Sequence, residues 1–160
     1  MRSHRFPRSL TSSLIRVLLI ASLLTACGTA LADDGKKVVG GYFEEWSIYF
    51  ANFNIANLQN NGVADRLTHL FYAFGGVKST GCYIADSWAD YQSPYLPTIT
   101  GPYTGPLYGN FAALQQLKQL HPNLKVLISL AGAPGFSAAA ATEAGRQAFV
   151  ASCIDLFINR

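Results

Sequence analysis

Leu67-Thr68-His69-Leu70-Phe71-Tyr72-Ala73-Phe74 is apolar nearly throughout. Its length suits a strand, and the lack of alternation predicts a strand covered on both faces, as in a parallel sheet. Two runs of the same kind flank it. Lys37-Val38-Val39-Gly40-Gly41-Tyr42-Phe43 comes before it, and Leu124-Lys125-Val126-Leu127-Ile128-Ser129-Leu130 comes after it. Helical patterns lie between and beyond these runs. One is short and weak, from Ile55 to Asp65, with Asn60-Asn61-Gly62 at its end. A stronger one is opened by Asn110, carries Phe111, Leu114, Leu117 and Leu120 at helical spacing, and is stopped by Pro122. After a Gly/Pro turn over 131–137, a last helix is expected from Ala138 to about Asn159, with Phe149, Cys153, Leu156 and Phe157 on one face. Strands alternating with helices predict an α/β fold with parallel strands and right-handed crossovers. Three strands do not close a barrel, so the chain reads as the front part of a larger α/β domain.

Residues 75–108 differ from the rest, with four Pro, six Tyr or Trp and few aliphatic side chains. They are expected to form an irregular insertion, and a loop of that length in a compact domain is usually functional.

The chain has 160 residues, 50% of them hydrophobic and 13% charged, which excludes a disordered tail. Its net charge of +3 comes from the start, where Arg2, Arg5, Arg8 and Arg16 sit. From Asp33 onward there are eight basic and nine acidic residues. A body so close to neutral offers no footprint for nucleic acid.

The basic start is followed by an apolar run, Leu14–Ala26, whose uninterrupted part of about ten residues is too short to span a membrane. Residues 1–32 read as a secretory signal peptide. Two cleavage signals overlap: Ala30-Leu31-Ala32 would free Asp33, and Leu24-Thr25-Ala26-Cys27 resembles a bacterial lipobox, in which Cys27 is lipidated. Both predict export, to the outside or to a lipid anchor on the envelope, and leave 33–160 as the domain. Two further cysteines, Cys82 and Cys153, are too few for a disulfide-dense scaffold. A bridge pinning the insertion to the last helix and a pair of buried free thiols both remain open. No metal-site spacing, Ser-His-Asp set or phosphate loop is visible.

Several motifs in order carry a family resemblance. Val38-Val39-Gly40-Gly41-Tyr42-Phe43-Glu44-Glu45-Trp46 resembles the first strand of glycoside hydrolase family 18 chitinases. The 67–74 run resembles their second strand, and Lys125-Val126-Leu127-Ile128-Ser129 the third; the insertion with Cys82, Asp86 and Asp90 is similar to that of secreted bacterial members. The likeness spans about residues 37–158. It implies the first three β/α units of a TIM (β/α)8 barrel, which typically needs about 250 residues. It also implies hydrolysis of β-1,4-linked N-acetylglucosamine in chitin or chito-oligosaccharides, with retention, by a substrate-assisted route that needs no cofactor. The family's catalytic run, Asp-x-x-Asp-x-Asp-x-Glu on the fourth strand, has no counterpart in these 160 residues, so no catalytic residue is assigned here.

What the segment is expected to supply is a sugar-binding surface. By resemblance, Trp46 stacks on a sugar, Tyr42 and Phe74 line the floor near the cleavage subsite, and Ser129 joins them from the third strand; aromatic planes suit the C–H faces of pyranose rings. Glu44, Glu45, Asp86 and Asp90 read as solvated surface acids, and His69 as a hydrogen-bonded core histidine. Trp88, Tyr91, Tyr95, Tyr103 and Tyr108 either extend the cleft or pack within the insertion. Ala131 and Ala133 depart from the family's Ser-x-Gly-Gly-Trp pattern, at a close backbone approach and a leaving-group-side aromatic. Two rival functions are a non-catalytic carbohydrate-binding protein on the same fold and a lipid-anchored envelope protein. A segment of 33–160 alone is expected to fold poorly, because its parallel edges stay unpaired; a cooperative unfolding transition of that segment would refute this.

Overall fold

The structure is a computed structural model, which describes residues 37–160. The expected leader over 1–32, with Ala30-Leu31-Ala32 and Cys27, lies outside the described residues. Among the described residues, no helix is long and apolar enough to cross a membrane.

The elements run β1 (Gly40–Glu44), α1 (Ser47–Phe50), α2 (Ile55–Asn60), β2 (His69–Lys78), β3 (Gly81–Ile84), a π-helical turn (Trp88–Gln92), α3 (Gly109–Leu120), β4 (Lys125–Ala131), α4 (Ala133–Ala139), α5 (Glu143–Ile154) and a second π-helical turn (Asp155–Asn159). β2 is the central strand. It pairs in parallel with β1 on one edge and with β4 on the other. β1, β2 and β4, each followed by a helix, are therefore three successive β/α units.

The register fixes which side chains share a face. Tyr42, Phe71 and Leu127 lie in one row across the sheet, and Phe43, Tyr72 and Ile128 lie in the next. Successive residues of a strand point to opposite faces. Phe43, Leu70 and Tyr72 turn to the helices and form the core with Ile55 and Leu58 of α2, Leu114 and Leu117 of α3, and Leu124. Ile55 and Leu117 are fully buried; a buried Leu or Ile side chain stabilises by about 1.5–3 kcal/mol. The opposite face carries Tyr42, Glu44 and Leu127, all exposed. In a closed barrel that face is the interior.

Several boundaries differ from expectation. The second strand starts at His69 and runs to Lys78, rather than stopping at Phe74. The insertion is not irregular at its start, because Gly75–Lys78 pairs antiparallel with Gly81–Ile84 in a hairpin. This hairpin takes over the edge that β1 leaves at Ala73. The helix from Ile55 does end at the expected stop, at Asn60, with Gly62 in a left-handed φ of +67°. The long last helix is two helices: α4 begins inside the expected turn with Pro134 in its first turn, and Thr142 caps α5 by accepting from Gly145 N–H. The caps won over apolar periodicity, since a cap satisfies backbone donors that periodicity leaves open.

Cys82 on β3 and Cys153 on α5 are joined by a disulfide, with Cα atoms 5.0 Å apart and a sequence separation of 71. Ser152 Oγ accepts from Cys82 N–H at 3.0 Å beside it. The bridge closes a long loop, so replacing both cysteines by serine is expected to lower the stability of the full-length protein by about 2–4 kcal/mol. A denaturant midpoint unchanged by the double substitution would contradict this.

Candidate functional site

In a β/α barrel, functional groups gather at the C-terminal ends of the strands. Three of the four sugar-facing candidates meet there. Trp46 follows β1 by two residues, and its ring stacks on Phe74 with centroids 5.6 Å apart and planes 29° from parallel. Both rings are half-buried. Phe74 reaches this position through a bulge: Ala73 pairs with Ser129 and Gly75 with Leu130, leaving Phe74 as the extra residue of β2. A bulge re-aims the side chain it carries. Ser129, half-buried, lies opposite Ala73, next to the bulge.

Tyr42 is placed differently from expectation. It sits in the middle of β1 rather than at its end, because the strand runs on to Glu44. It is 65% exposed on the inner face and stacks on Phe71 at 5.1 Å. Two sheet rows, that of Phe43, Tyr72 and Ile128 and that of Glu44, Ala73 and Ser129, separate it from the Trp46–Phe74 pair.

Behind the ring pair lies a group of polar side chains that the sequence reading placed in solvent. Glu45 and Asp90 are 5% and 1% exposed, so their assignment as solvated acids is corrected. Glu45 shares the helix-facing side with Phe43, as the two-residue period of a strand requires. Its backbone N–H donates to Ala73 O at 2.8 Å. Its carboxyl accepts a backbone hydrogen bond from Phe74 and faces the carboxyl of Asp90. Tyr72, whose ring is buried against Phe43, donates its hydroxyl to Asp90 Oδ1. Asn110 Nδ2 donates to the Tyr72 hydroxyl at 3.1 Å. Asp86 sits at the rim, half-buried, and accepts from the exposed Tyr49 hydroxyl at 2.7 Å. Glu44 is exposed, as expected.

The insertion and α3 deliver these groups together. Tyr108 N–H donates to Tyr91 O at 3.0 Å, and Gly109 N–H to Ser93 O at 2.9 Å. Gly109 holds φ +61°, and a Cβ there would meet Ala89 O at 2.4 Å, so only glycine lets α3 start this close to the π turn. Asp90 and Asn110 consequently converge on Tyr72.

Burial dominates the electrostatics. The Asp90 carboxyl is pushed up to about 8, first by burial, against which the Tyr72 bond works, and then by the Glu45 charge. Glu45 also rises, mainly by burial. Tyr49 is raised to about 12, by burial and then by its bond to Asp86. Two carboxyls so placed do not both ionise near neutrality.

The remaining candidates are structural or peripheral. His69 Nδ1 lies 2.8 Å from Thr68 Oγ1, half-buried. Tyr103 packs edge-on against Tyr108 and donates to the carbonyls of Leu96 and Pro97, so these two hold the insertion to itself. Trp88 and Tyr95 are exposed neighbours on its surface, 6.3 Å apart. The close backbone approach expected at Ala131 falls on Gly132, with φ +119° and a Cβ position 2.6 Å from Val77 O. No group of three or more His, Cys, Asp or Glu among the described residues could hold a metal ion. A separate apolar groove of about 1080 Å³ runs between α3, β4 and the end of α5; Leu114, Ile128 and Phe157 line it, and it holds none of the sugar-facing candidates.

Comparison with known proteins identifies the family of this fold. Glycosyl hydrolases family 18 matches the chain over residues 38–160. Chitinase C of Streptomyces lividans is 40% identical over 130 residues, which are 76% of this chain and 20% of that protein. Chitinase 63 of Streptomyces plicatus is 35% identical over 132 residues, 78% of this chain and 21% of that protein. The catalytic domain of the psychrophilic chitinase B from Arthrobacter TAD20 superposes with a TM-score of 0.70 at 39% identity, over 74% of this chain and 33% of that one. The chain belongs to glycosyl hydrolase family 18, and its fold is the N-terminal three β/α units of that family's TIM barrel. It spans about a fifth of the length of the two Streptomyces relatives.

The buried carboxyl makes stability depend on pH in a set direction. An unfolded Asp90 loses its proton near its ordinary value of 3.8, whereas the folded one keeps it to about 8. Between these values the folded state binds more protons, so stability is greatest below the lower value and falls as pH rises through the window. The full-length protein is expected to melt at a lower temperature at pH 8 than at pH 5, and Asp90→Asn to flatten that slope; an unchanged slope in the variant would sink the assignment.

Proposed function

We propose that the full-length protein containing this chain is an exported chitinase. It hydrolyses β-1,4 linkages between N-acetylglucosamine units in chitin and chito-oligosaccharides, with retention at the anomeric carbon. The reading rests on membership of family 18 over 38–160, with relatives named as chitinases. The observation that carries this segment's part in it is the Trp46–Phe74 ring pair at the C-terminal end of the strands.

In this reading the segment binds and orients, and the proton-transfer step belongs to the family's Asp-x-x-Asp-x-Asp-x-Glu run, which these 160 residues do not contain. That Glu protonates the glycosidic oxygen, and the substrate's own N-acetyl carbonyl attacks the anomeric carbon. For this to work the sugar must be held in place. Trp46 and Phe74 offer apolar planes to a pyranose ring. Ser129 adds a hydroxyl beside them, and Tyr42 puts a phenol on the barrel's inner face. The signal-peptide pattern over 1–32 supports export, and a disulfide between Cys82 and Cys153 suits an oxidising compartment.

The test is hydrolysis of a chitin hexamer by the full-length protein, with NMR reading the first anomer formed. The β-anomer should appear first. Trp46→Ala should raise KM about tenfold with little change in kcat, equivalent to about 1.4 kcal/mol of stacking. A protein that binds the hexamer without cleaving it is a carbohydrate-binding protein on this fold. One that neither binds nor cleaves it has another substrate altogether.

A further inference from the structure

The Glu45–Asp90 pair has no part in the bond-breaking chemistry above, yet it is among the most buried polar features described. An ionised carboxylate only accepts hydrogen bonds. Two facing carboxylates therefore repel, and one proton between them turns the contact into a bond. Asp90 Oδ1 is occupied by the Tyr72 hydroxyl, which leaves its other oxygen to carry that proton. Glu45 Oε2 is buried and has no hydrogen-bond partner among the bonds described, and a proton on Asp90 would give it one. With Asp90 as donor, Glu45 stays ionised and accepts twice, from Asp90 and from the backbone of Phe74.

That second bond matters because Phe74 is the bulge residue of β2. A bulged residue lacks the ladder bonds that fix its neighbours. Its ring is held on one side by Trp46, and its backbone is held from behind by Glu45. Glu45 is also bonded through its N–H to Ala73 O, and is covalently next to Trp46. One side chain thus touches the backbone under one ring of the platform and directly precedes the other.

We propose that Glu45 and Asp90 are positioning residues: hydrogen-bonded to each other through one shared proton, they hold Phe74 and Trp46 in the stacked arrangement that receives an N-acetylglucosamine ring. The proposal rests on the chitinase reading for its ligand. The groups acting on the pair are Asp86 before the π turn, Tyr72 on β2, with Asn110 on α3 bonded to the Tyr72 hydroxyl; Tyr49 of α1 bonds Asp86. Loss of the shared proton leaves two buried carboxylates face to face. Glu45 then withdraws from Phe74 and the platform loosens.

Glutamine at position 45 discriminates. Its carbonyl accepts from Phe74 while its amide donates to an ionised Asp90, so the bonds survive with no proton to lose. The experiment is calorimetric titration of chitotetraose into the full-length protein from pH 5 to pH 9.5, for the natural sequence, Glu45→Gln and Glu45→Ala. The natural protein should bind steadily up to about pH 7 and lose about fivefold in affinity above pH 8. Glu45→Gln should bind within about twofold of it at pH 6 and show no alkaline loss. Glu45→Ala should bind about fivefold more weakly at every pH. If Glu45→Ala does not fold, Glu45→Gln alone decides. A Glu45→Gln variant that keeps the alkaline loss, or a folded Glu45→Ala that binds as the natural protein does, overturns the pair and leaves the chitinase reading standing. A natural protein that binds no chitotetraose at any pH overturns the substrate reading, and the sugar platform with it.

Discussion

Burying the hydroxyl of Tyr72 is the constraint around which this segment is arranged. The ring belongs in the core by every apolar criterion, stacked on Phe43 and edge-on to Phe111. A buried hydroxyl without a partner costs about 1–3 kcal/mol, so the core must supply one. It comes from Asp90 in the insertion and Asn110 at the start of α3. Meeting that need brings a carboxyl into the interior, and the carboxyl in turn needs Glu45. A single phenol thereby recruits groups from β1, the insertion and α3, and fixes where the insertion must lie.

The same chain of requirements joins stability to binding. Glu45 stands at the point where β1 leaves the sheet, between the core face of Phe43 and the outward-turned Trp46. Glu45, one residue past β1, is buried as Phe43 is, and Trp46 leaves the strand with helical backbone angles. The bulge at Phe74 breaks the alternation of the neighbouring strand, which is how a residue that regular pairing would bury comes to face Trp46.

The strands were legible in the sequence because three apolar runs of strand length recur between helical patterns. The family was legible because several motifs stand in one order, where any one of them would be weak. Their edges were less so. The hairpin partner Gly81–Ile84 is short and mixed in polarity, and its pairing depends on β2 running past Phe74. The Phe74 bulge carries no local signature at all, since it is defined only by the register of Ala73 and Gly75 against β4. The buried acids were misread for a sound physical reason: carboxylates are almost never buried without a partner, and Asp90 finds its partners in Tyr72 and Glu45, which no local window contains. The one signal available was parity, since Glu45 falls on the same side of the strand as Phe43.

The bonds Tyr108 N–H to Tyr91 O and Gly109 N–H to Ser93 O have a further consequence. They bring the two ends of the segment over 94–107 together at its base, so that it leaves and rejoins the chain's path at one point, like a drawn noose. The knot lies outside the sheet and is tied by backbone atoms, which every sequence possesses. A noose tied in this way can change length between its anchors, each doubling of a flexible loop costing only about 0.6 kcal/mol. Within it, Ile99 packs on the core and the backbone at Ile99 and Gly101 bonds Gln116 of α3, so change is confined to the stretches on either side, while Asp90 and Asn110, just outside the knot, remain where Tyr72 requires them.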